Sequence, residues 1–152
     1  MNLQEYLDQQ GIAYRMSQHP TVYTSQDLAA TEHMPGRSVI KPVVVQADGK
    51  FIMCALPASY RIDLGELREQ LDARQISLAE EVHLREIFPE CELGAEPPIG
   101  RMFGLPTVMD ESLMADDRVM FQAGTHDTAV TMTLADYRRL AQPELAHFGR
   151  HA

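Results

Sequence analysis

The stretch VIKPVVVQADGKFIMCALP, residues 39–57, predicts a β-hairpin and, through it, the class of fold. Two runs of β-branched and other apolar residues flank Asp48–Gly49, a dipeptide typical of a two-residue hairpin turn. A hairpin pairs its strands antiparallel, whereas a doubly wound fold is built on parallel strands joined by helices. The stretch therefore favours a mixed α+β domain.

Short helices and strands follow one another along the rest of the chain. Capping residues predict helices that start after Thr24 or Ser25, at Asp63 and at Thr133. The segments RVMFQAG and TAVTMT, joined across GTHD, predict a further pair of strands. No repeat and no long linker divides the sequence, so we expect a single domain over residues 1–152, with a core at about 12–140. We expect the tail, residues 143–152, to fray.

Composition and charge limit the classes of function. The chain carries 13 basic and 22 acidic residues, a net charge of −9, which disfavours DNA and any broad nucleic-acid binding that depends on phosphate neutralisation. No segment is apolar for long enough to span a bilayer, and the N-terminus lacks the pattern of a signal peptide. Cys54 and Cys91 fit no ligand spacing. We expect a cytoplasmic protein with no membrane partner.

The stretch ELGAEPPIGRMFGLP, residues 92–106, combines three glycines with two adjacent prolines before its final Leu-Pro. Glycine lets another group approach the backbone closely, and proline stiffens the backbone. Taken alone, the stretch fits a tight surface connection. It also fits a preorganised wall whose N–H groups stabilise a developing negative charge, with Gly100 where a substrate approaches most closely.

Lys41 interrupts a run of strand-forming residues, SVIKPVVV. One interpretation is a charge on an edge strand that discourages aggregation. Another is a lysine held on a rigid strand and directed into a cleft, where it would bind a phosphate, a hydroxyl or a carboxylate. Pro42 fits both interpretations, because proline in a strand indicates an edge position or a bulge.

Three further polar residues are candidates for a site. His126 lies in the predicted turn of AGTHDTAV, where a histidine is either solvated or at the mouth of a cleft, and His19 in QHPT is the next such residue. Asp110 either caps a turn or binds a substrate amine. The histidines are scattered, and no nucleophile motif, dinucleotide motif or Walker loop occurs. We expect no metal, no cofactor and no protein nucleophile.

The order of five segments is more specific than any one of them. The segments are YRMSQHPTVYTSQDLAA, SVIKPVVVQADGKFIMCALPASYRIDL, FPECELGAEPPIG, LPTVMDESL and FQAGTHDTAVTM. Together they resemble the YbaK/ProX family of aminoacyl-tRNA editing domains, which includes the insertion domain of bacterial prolyl-tRNA synthetases and its free-standing relatives. The resemblance spans about residues 12–140. It implies a mixed α/β fold around a curved, barrel-like sheet, and hydrolysis of the ester between an incorrect amino acid and the 3′ end of a tRNA.

The resemblance also assigns roles to residues. The family's strand lysine corresponds to Lys41, its G-x-x-x-P-x-G loop to Gly94, Pro98 and Gly100, and a histidine found in some editing members to His126. We expect Lys41 and Gly100 to be catalytic. The expected substrate contacts are Gly94, Pro98, Ile99, Arg101, Asp110, His19 and His126.

The implied mechanism needs no protein nucleophile, because an aminoacyl ester is already activated. A water attacks the carbonyl with help from the 2′-hydroxyl of the terminal ribose, and backbone N–H groups around Gly100 hold the oxyanion. Lys41, facing that loop, anchors the 3′-end phosphate or ribose. Two features depart from the family pattern: Pro42 stands where a small hydroxylic residue is common, and residues 101–103 are bulky.

The acidic surface predicts weak affinity for tRNA by itself. Contact should be limited to the 3′ acceptor end, or a synthetase or elongation factor delivers the substrate.

Two other functions stay open at this point. The same cleft would suit a non-catalytic module that binds a nucleotide, an aminoacyl ligand or the tRNA end. In a structural or interaction domain the loop would be a connection only, and Lys41 would point into open solvent.

Overall fold

A computed structural model of the chain describes residues 2–152. It contains five short α-helices: α1 (Leu3–Gln9), α2 (Ser25–Thr31), α3 (Leu64–Gln70), α4 (Glu81–Ile87) and α5 (Leu134–Ala141). Side chains cap the N-termini of four of them. The side chains of Thr24, Asp63 and Thr133 accept hydrogen bonds from first-turn N–H groups of α2, α3 and α5, which confirms the predicted starts.

Ten strands form three sheets. The strands are β1 (Arg15–Gln18), β2 (Ile40–Ala47), β3 (Lys50–Pro57), β4 (Tyr60–Ile62), β5 (Ile76–Leu78), β6 (Thr107–Asp110), β7 (Arg118–Gln122), β8 (Thr128–Thr133), β9 (Glu144–Ala146) and β10 (Gly149–His151). The largest sheet has the order β5-β2-β3-β6-β9, the second β1-β8-β7, and the third pairs β10 with β4. The mixed α+β class is confirmed.

The predicted hairpin is the centre of the largest sheet. β2 and β3 pair antiparallel along their whole length, from Ile40 opposite Pro57 to Ala47 opposite Lys50. Asp48 and Gly49 both have positive φ, 49° and 83°, as a type I′ turn requires. The Asp48 carboxylate also accepts hydrogen bonds from the N–H groups of residues 74 and 75, so the turn holds the segment that leads into β5.

The two larger sheets meet where β2 begins. Val39, just before β2, forms a parallel bridge with Met120 of β7, and both residues are buried. Both larger sheets contribute to a core to which α1 and α5 add Leu7 and Tyr137. The strands do not close into a single barrel over residues 2–152, since the pairing is divided among three sheets. The segments after β5 and after β7 converge at one end of this core.

The tail does not fray as expected. β9 pairs parallel with β6, and β10 pairs antiparallel with β4. Phe148, between them, is buried in a core cluster. The Asp110 carboxylate accepts hydrogen bonds from the N–H groups of Phe148 at 2.9 Å and Gly149 at 2.6 Å. The tail is ordered by partners far away in sequence, which a local reading of residues 143–152 does not reveal.

Across residues 2–152 no helix combines the length and the apolar character needed to cross a bilayer.

Candidate active site

The loop at residues 94–100 is a firmly anchored wall that is buried from residue 95 onward. Every residue from 95 to 100 is buried. The Tyr137 hydroxyl donates to the Pro98 carbonyl at 2.6 Å, and Ile99 is fully buried in the core cluster that also contains Ile40. Burial raises the pKa of Tyr137 far above its usual value, so its hydroxyl stays protonated and keeps donating. The prolines at 97 and 98 stiffen the backbone between these anchors.

Gly100 has a different role from the expected one. Its N–H donates to Thr107 Oγ1 at 2.8 Å, so it is already bonded within the protein and does not face an oxyanion. A Cβ at this position would lie 2.6 Å from the Leu105 carbonyl oxygen and 2.7 Å from Thr107 Oγ1. Glycine is required here because the start of β6 packs directly on the loop, rather than because a substrate passes.

His126 lies against the other end of the wall. The Gly124 N–H donates to the Ala95 carbonyl at 2.8 Å, which docks the β7–β8 turn on the loop. The His126 N–H donates to Glu92 Oε1 at 2.7 Å, and its Nε2 contacts the Leu93 carbonyl at 2.8 Å. A hydrogen bond to that carbonyl requires a proton on Nε2, and the buried Nδ1 has no partner in residues 2–152.

Gly94 lies directly beneath this imidazole. Its φ is 88°, a conformation that favours glycine, and a Cβ would lie 3.6 Å from His126 Cε1. His19 is nearby: its N–H donates to the Asp127 carbonyl, and the Val22 N–H donates to the His126 carbonyl, each at 2.9 Å. Three segments, 19–23, 92–98 and 124–127, therefore meet around His126.

A groove of about 240 Å³ opens between this wall and β2. Its lining residues are Pro42, Val43, Val44, Leu78, Ala79, Leu84, Leu93, Gly94 and Glu96. Glu96 is the one ionisable residue in that lining, and the remainder is apolar or glycine. The groove is mostly apolar, carries one charged side chain and is bordered by rigid backbone, as ligand-binding clefts commonly are.

Comparison with known proteins identifies the family. The family model described as the aminoacyl-tRNA editing domain matches residues 19–140. The chain belongs to this family. The expected enzyme class, an aminoacyl-tRNA deacylase, is thereby confirmed at the level of the family.

Individual relatives of this editing domain agree with the family match. The chain is 30% identical over 151 residues to the multifunctional Ser/Thr-tRNA deacylase ProXp-y of Escherichia coli strain K12. The match covers 96% of this chain and 90% of the relative. The protein of the same name from Escherichia coli O157:H7 matches with the same identity and coverage. A solved structure described as a candidate trans-editing enzyme for prolyl-tRNA synthetase superposes with a TM-score of 0.87 at 20% identity. That match covers 97% of this chain and 94% of the other, and supports the fold.

The side chain of Lys41 does not face the wall of this editing domain. Lys41 lies on the face of β2 that also carries Val43 and Val45, and its Nζ donates to the Tyr60 carbonyl. Pro42, whose side chain alternates to the other face, lines the groove instead. Burial lowers the pKa of Lys41. The expected arrangement of Lys41 across from Gly100 is therefore wrong for the conformation that this structure describes.

Three other expected substrate contacts do not line the groove. The Asp110 carboxylate accepts hydrogen bonds from the N–H groups of Ser112, Phe148 and Gly149, which favours the capping interpretation. Ile99 is fully buried. Arg101 is exposed and lies near the C-terminus of α5, with a guanidinium nitrogen 3.5 Å from the Leu140 carbonyl oxygen. Neither Arg101 nor the bulky residues 102 and 103 appear in the groove lining described above.

Two residues beside the groove were missed in the sequence. Tyr23 is 73% exposed, and its ring lies 5.1 Å from that of His126, tilted by 55°. Glu96 is only 4% exposed although it is a carboxylate. An aromatic residue in a polar loop and an acid inside a Gly/Pro loop are the signals that could have drawn attention to them.

The cysteine near the wall is not a nucleophile at neutral pH. Burial, together with the charges of Glu96 and Glu90, raises the pKa of Cys91 to about 11.

Proposed function

We propose that this editing domain is a trans-acting deacylase, which hydrolyses the ester of a tRNA mischarged with a small amino acid. The observation that carries the proposal is the rigid 94–98 backbone beside His126, which borders a small groove in a chain of the editing family. An activated ester in such a groove needs only a positioned water and oxyanion donors to be cleaved.

The size of the groove supports a small amino acid as the group removed. One methylene is worth only ~1–3 kcal/mol in a pocket of this kind, so a separate editing site discriminates by exclusion of larger side chains. The relative named as a Ser/Thr-tRNA deacylase makes serine and threonine the first side chains to test. A substrate of the prolyl-tRNA editing type, suggested by the sequence resemblance, is the second.

The proposed reaction is an ordinary ester hydrolysis. Water adds to the carbonyl carbon, the bond from that carbon to the ribose oxygen breaks, and the ribose oxygen takes up a proton. The products are the free amino acid and an uncharged tRNA. The 2′-hydroxyl of the terminal ribose assists by relaying the proton.

Backbone donors in the loop would stabilise the oxyanion. The N–H groups of Gly94, Ala95, Ile99 and Gly100 are all bonded within the protein. Among residues 94–100, the backbone N–H of Glu96 is the one N–H group with no hydrogen-bond acceptor in the described chain, residues 2–152. We therefore assign the main-chain donor to Glu96 rather than to Gly100.

The 3′ end of the tRNA would be held by an aromatic ring and a lysine. Tyr23 offers an exposed ring on a loop fixed by the Val22 and His19 hydrogen bonds, which suits stacking of an unpaired base. The Lys41 ammonium has no carboxylate partner within residues 2–152. It would leave the Tyr60 carbonyl and turn around the edge of β2 to contact a phosphate or ribose oxygen.

A panel of mischarged tRNAs tests the function. We expect release of the amino acid from at least one tRNA mischarged with serine, threonine or another small amino acid, and slow release from the correctly charged tRNAs. Lys41→Ala should lower kcat/KM by about 10-fold or more, as loss of a charged contact does. Lys50→Ala, which removes an exposed lysine from the same hairpin, is the control and should match the wild type.

Unchanged melting temperatures must accompany the loss of activity in Lys41→Ala. If this variant kept wild-type rates, the lysine would have no part in the reaction.

A non-catalytic binding module is the second candidate. The occupied N–H of Gly100 and the direction of Lys41 favour it. No turnover on the whole panel, together with measurable binding of an uncharged tRNA end, would support this module. Delivery by a synthetase or elongation factor belongs to both candidates, because the free chain is strongly acidic.

A further inference from the structure

The carboxylate of Glu96 is buried without a cation. It is 4% exposed, and its one hydrogen bond within residues 2–152 comes from the Gly94 N–H, which donates to Oε1 at 3.1 Å. No lysine, arginine or histidine nitrogen of these residues lies within 4.0 Å of it. Oε2 therefore has no protein partner, and the side chain lines the groove.

The protein itself supplies the Glu96 carboxylate with an incomplete set of partners. Removing a charge from water is compensated only by an ion pair or several hydrogen bonds, and Glu96 has one hydrogen bond. The neighbouring groove surface, which includes Pro42, Val44 and Leu84, offers it no polar group. A cation of a ligand in the groove would give this carboxylate the charged partner that the protein does not supply.

We propose that Glu96 binds the α-ammonium group of the aminoacyl ester. The inference rests on the proposed function and names the part of the substrate that the groove recognises. In an α-amino ester the ammonium nitrogen and the carbonyl oxygen are held close together by the α-carbon. One residue can therefore contact both, the carboxylate binding the ammonium and the main-chain N–H binding the oxygen.

The proposal has a consequence for selectivity. A free amine is required for the ion pair, so tRNAs whose amino acid is acylated at nitrogen are poor substrates. An N-acyl group removes the positive charge and leaves Glu96 buried and unpaired, which costs binding. The editing domain would then spare peptidyl-tRNA and other N-blocked tRNAs.

The experiment compares two substrates and three proteins. The substrates are the mischarged tRNA that the wild type hydrolyses best and the same tRNA after N-acetylation. The proteins are the wild type, Glu96→Gln and Glu90→Gln, the last being the same chemical change at an exposed glutamate of the same segment. In Glu96→Gln the amide oxygen still accepts from Gly94, so the loop keeps its bond and only the charge is lost.

We expect Glu96→Gln to lower kcat/KM about 10- to 100-fold on the free-amine substrate, the loss typical for a hydrogen bond between charged groups. It should have no further effect on the N-acetylated substrate, and Glu90→Gln should behave as the wild type. An equal loss on both substrates would mean that Glu96 only positions the loop, and it would overturn the proposal, as would unchanged rates.

A binding measurement separates this inference from the proposed function. The probe is an adenosine whose 3′-amino group carries serine through an amide bond, which is not an ester and is not hydrolysed as one. Tighter binding of this probe than of its N-acetyl form, abolished in Glu96→Gln, supports the ammonium site even if no tRNA is deacylated. Equal binding of the two forms by the wild type rejects it even if deacylation occurs.

Discussion

At Gly100, the close approach that glycine permits is used by the protein itself. The Leu105 carbonyl oxygen and Thr107 Oγ1 occupy the space that a side chain would need, at 2.6 and 2.7 Å from a Cβ. Both are fixed, the first by backbone geometry and the second by its bond to the Gly100 N–H. A methyl group would therefore push the loop away from β6.

We expect Gly100→Ala to destabilise the fold by about 1–3 kcal/mol, the range for overpacking at a tight contact. Urea unfolding measures it. Gly65→Ala is the matched control, since Gly65 has ordinary φ in helix α3 and its Cβ would lie 3.6 Å from Asp63 Oδ1. That change should raise stability by about 0.5–1 kcal/mol, because alanine favours the helix. Equal stability of Gly100→Ala and wild type would contradict the packing seen here.

Lys41 shows what the sequence alone leaves undecided at the scale of a residue. Its place in a strand was predictable from the β-branched residues around it. The face it takes depends on which neighbours cover each side of the strand, and β4, which supplies the Tyr60 carbonyl, was not predicted. Pro42, interpreted as an edge or bulge residue, lies in the part of β2 that pairs with β3 alone, because β5 pairs only with residues 45–47.

At the scale of elements, local signals were reliable and long-range ones were not. The Asp48–Gly49 turn and the caps at Thr24, Asp63 and Thr133 each act within a few residues, so composition predicted them. Strands β9 and β10 have no such signal. They are short, and their order comes from β6, from β4 and from the Asp110 carboxylate.

Asp110 is the residue that joins the tail to the core. Burial by itself raises the pKa of this carboxyl, but hydrogen bonds from Ser112, Phe148 and Gly149 outweigh it and hold the pKa below its usual value. Between the lowered pKa of the folded protein and the ordinary pKa of the unfolded chain, the unfolded chain therefore binds more protons at Asp110 than the folded one does. The stabilisation is fully present above the ordinary carboxyl pKa and disappears as the pH falls through the lowered value.

Asp110→Asn should accordingly destabilise the protein by about 2 kcal/mol at neutral pH, because a neutral amide replaces the charged carboxylate that accepts these hydrogen bonds. The difference from wild type should shrink at about pH 2, below the ordinary pKa of an aspartate. Urea unfolding at the two pH values measures both effects. Truncation after residue 142 should reduce the penalty to the part that Ser112 accounts for, because the donors at 148 and 149 are then gone. An unchanged penalty in the truncated chain would assign the effect to Ser112 instead.

At the scale of the whole molecule, the net charge of −9 opposes the approach of a polyanion. A protein that neutralises many phosphates loses roughly 10³–10⁵ in affinity between about 50 and 200 mM salt. This chain should behave in the opposite way at long range, because salt screens the repulsion between its acidic surface and the tRNA. A single Lys41–phosphate contact would add only a shallow negative slope, about −0.7 on a single strand.

We therefore expect log kcat/KM for a mischarged tRNA to change by less than one unit per unit of log salt concentration. In Lys41→Ala the residual slope should become positive, since only the screened repulsion remains. An aminoacyl-adenosine, which carries no phosphate, is the control and should show almost no dependence in either protein. A tRNA slope of −3 or steeper would mean that several cations of the acidic chain converge on the acceptor stem. The 3′ end would then not be the main contact, and free tRNA would bind without a delivering partner.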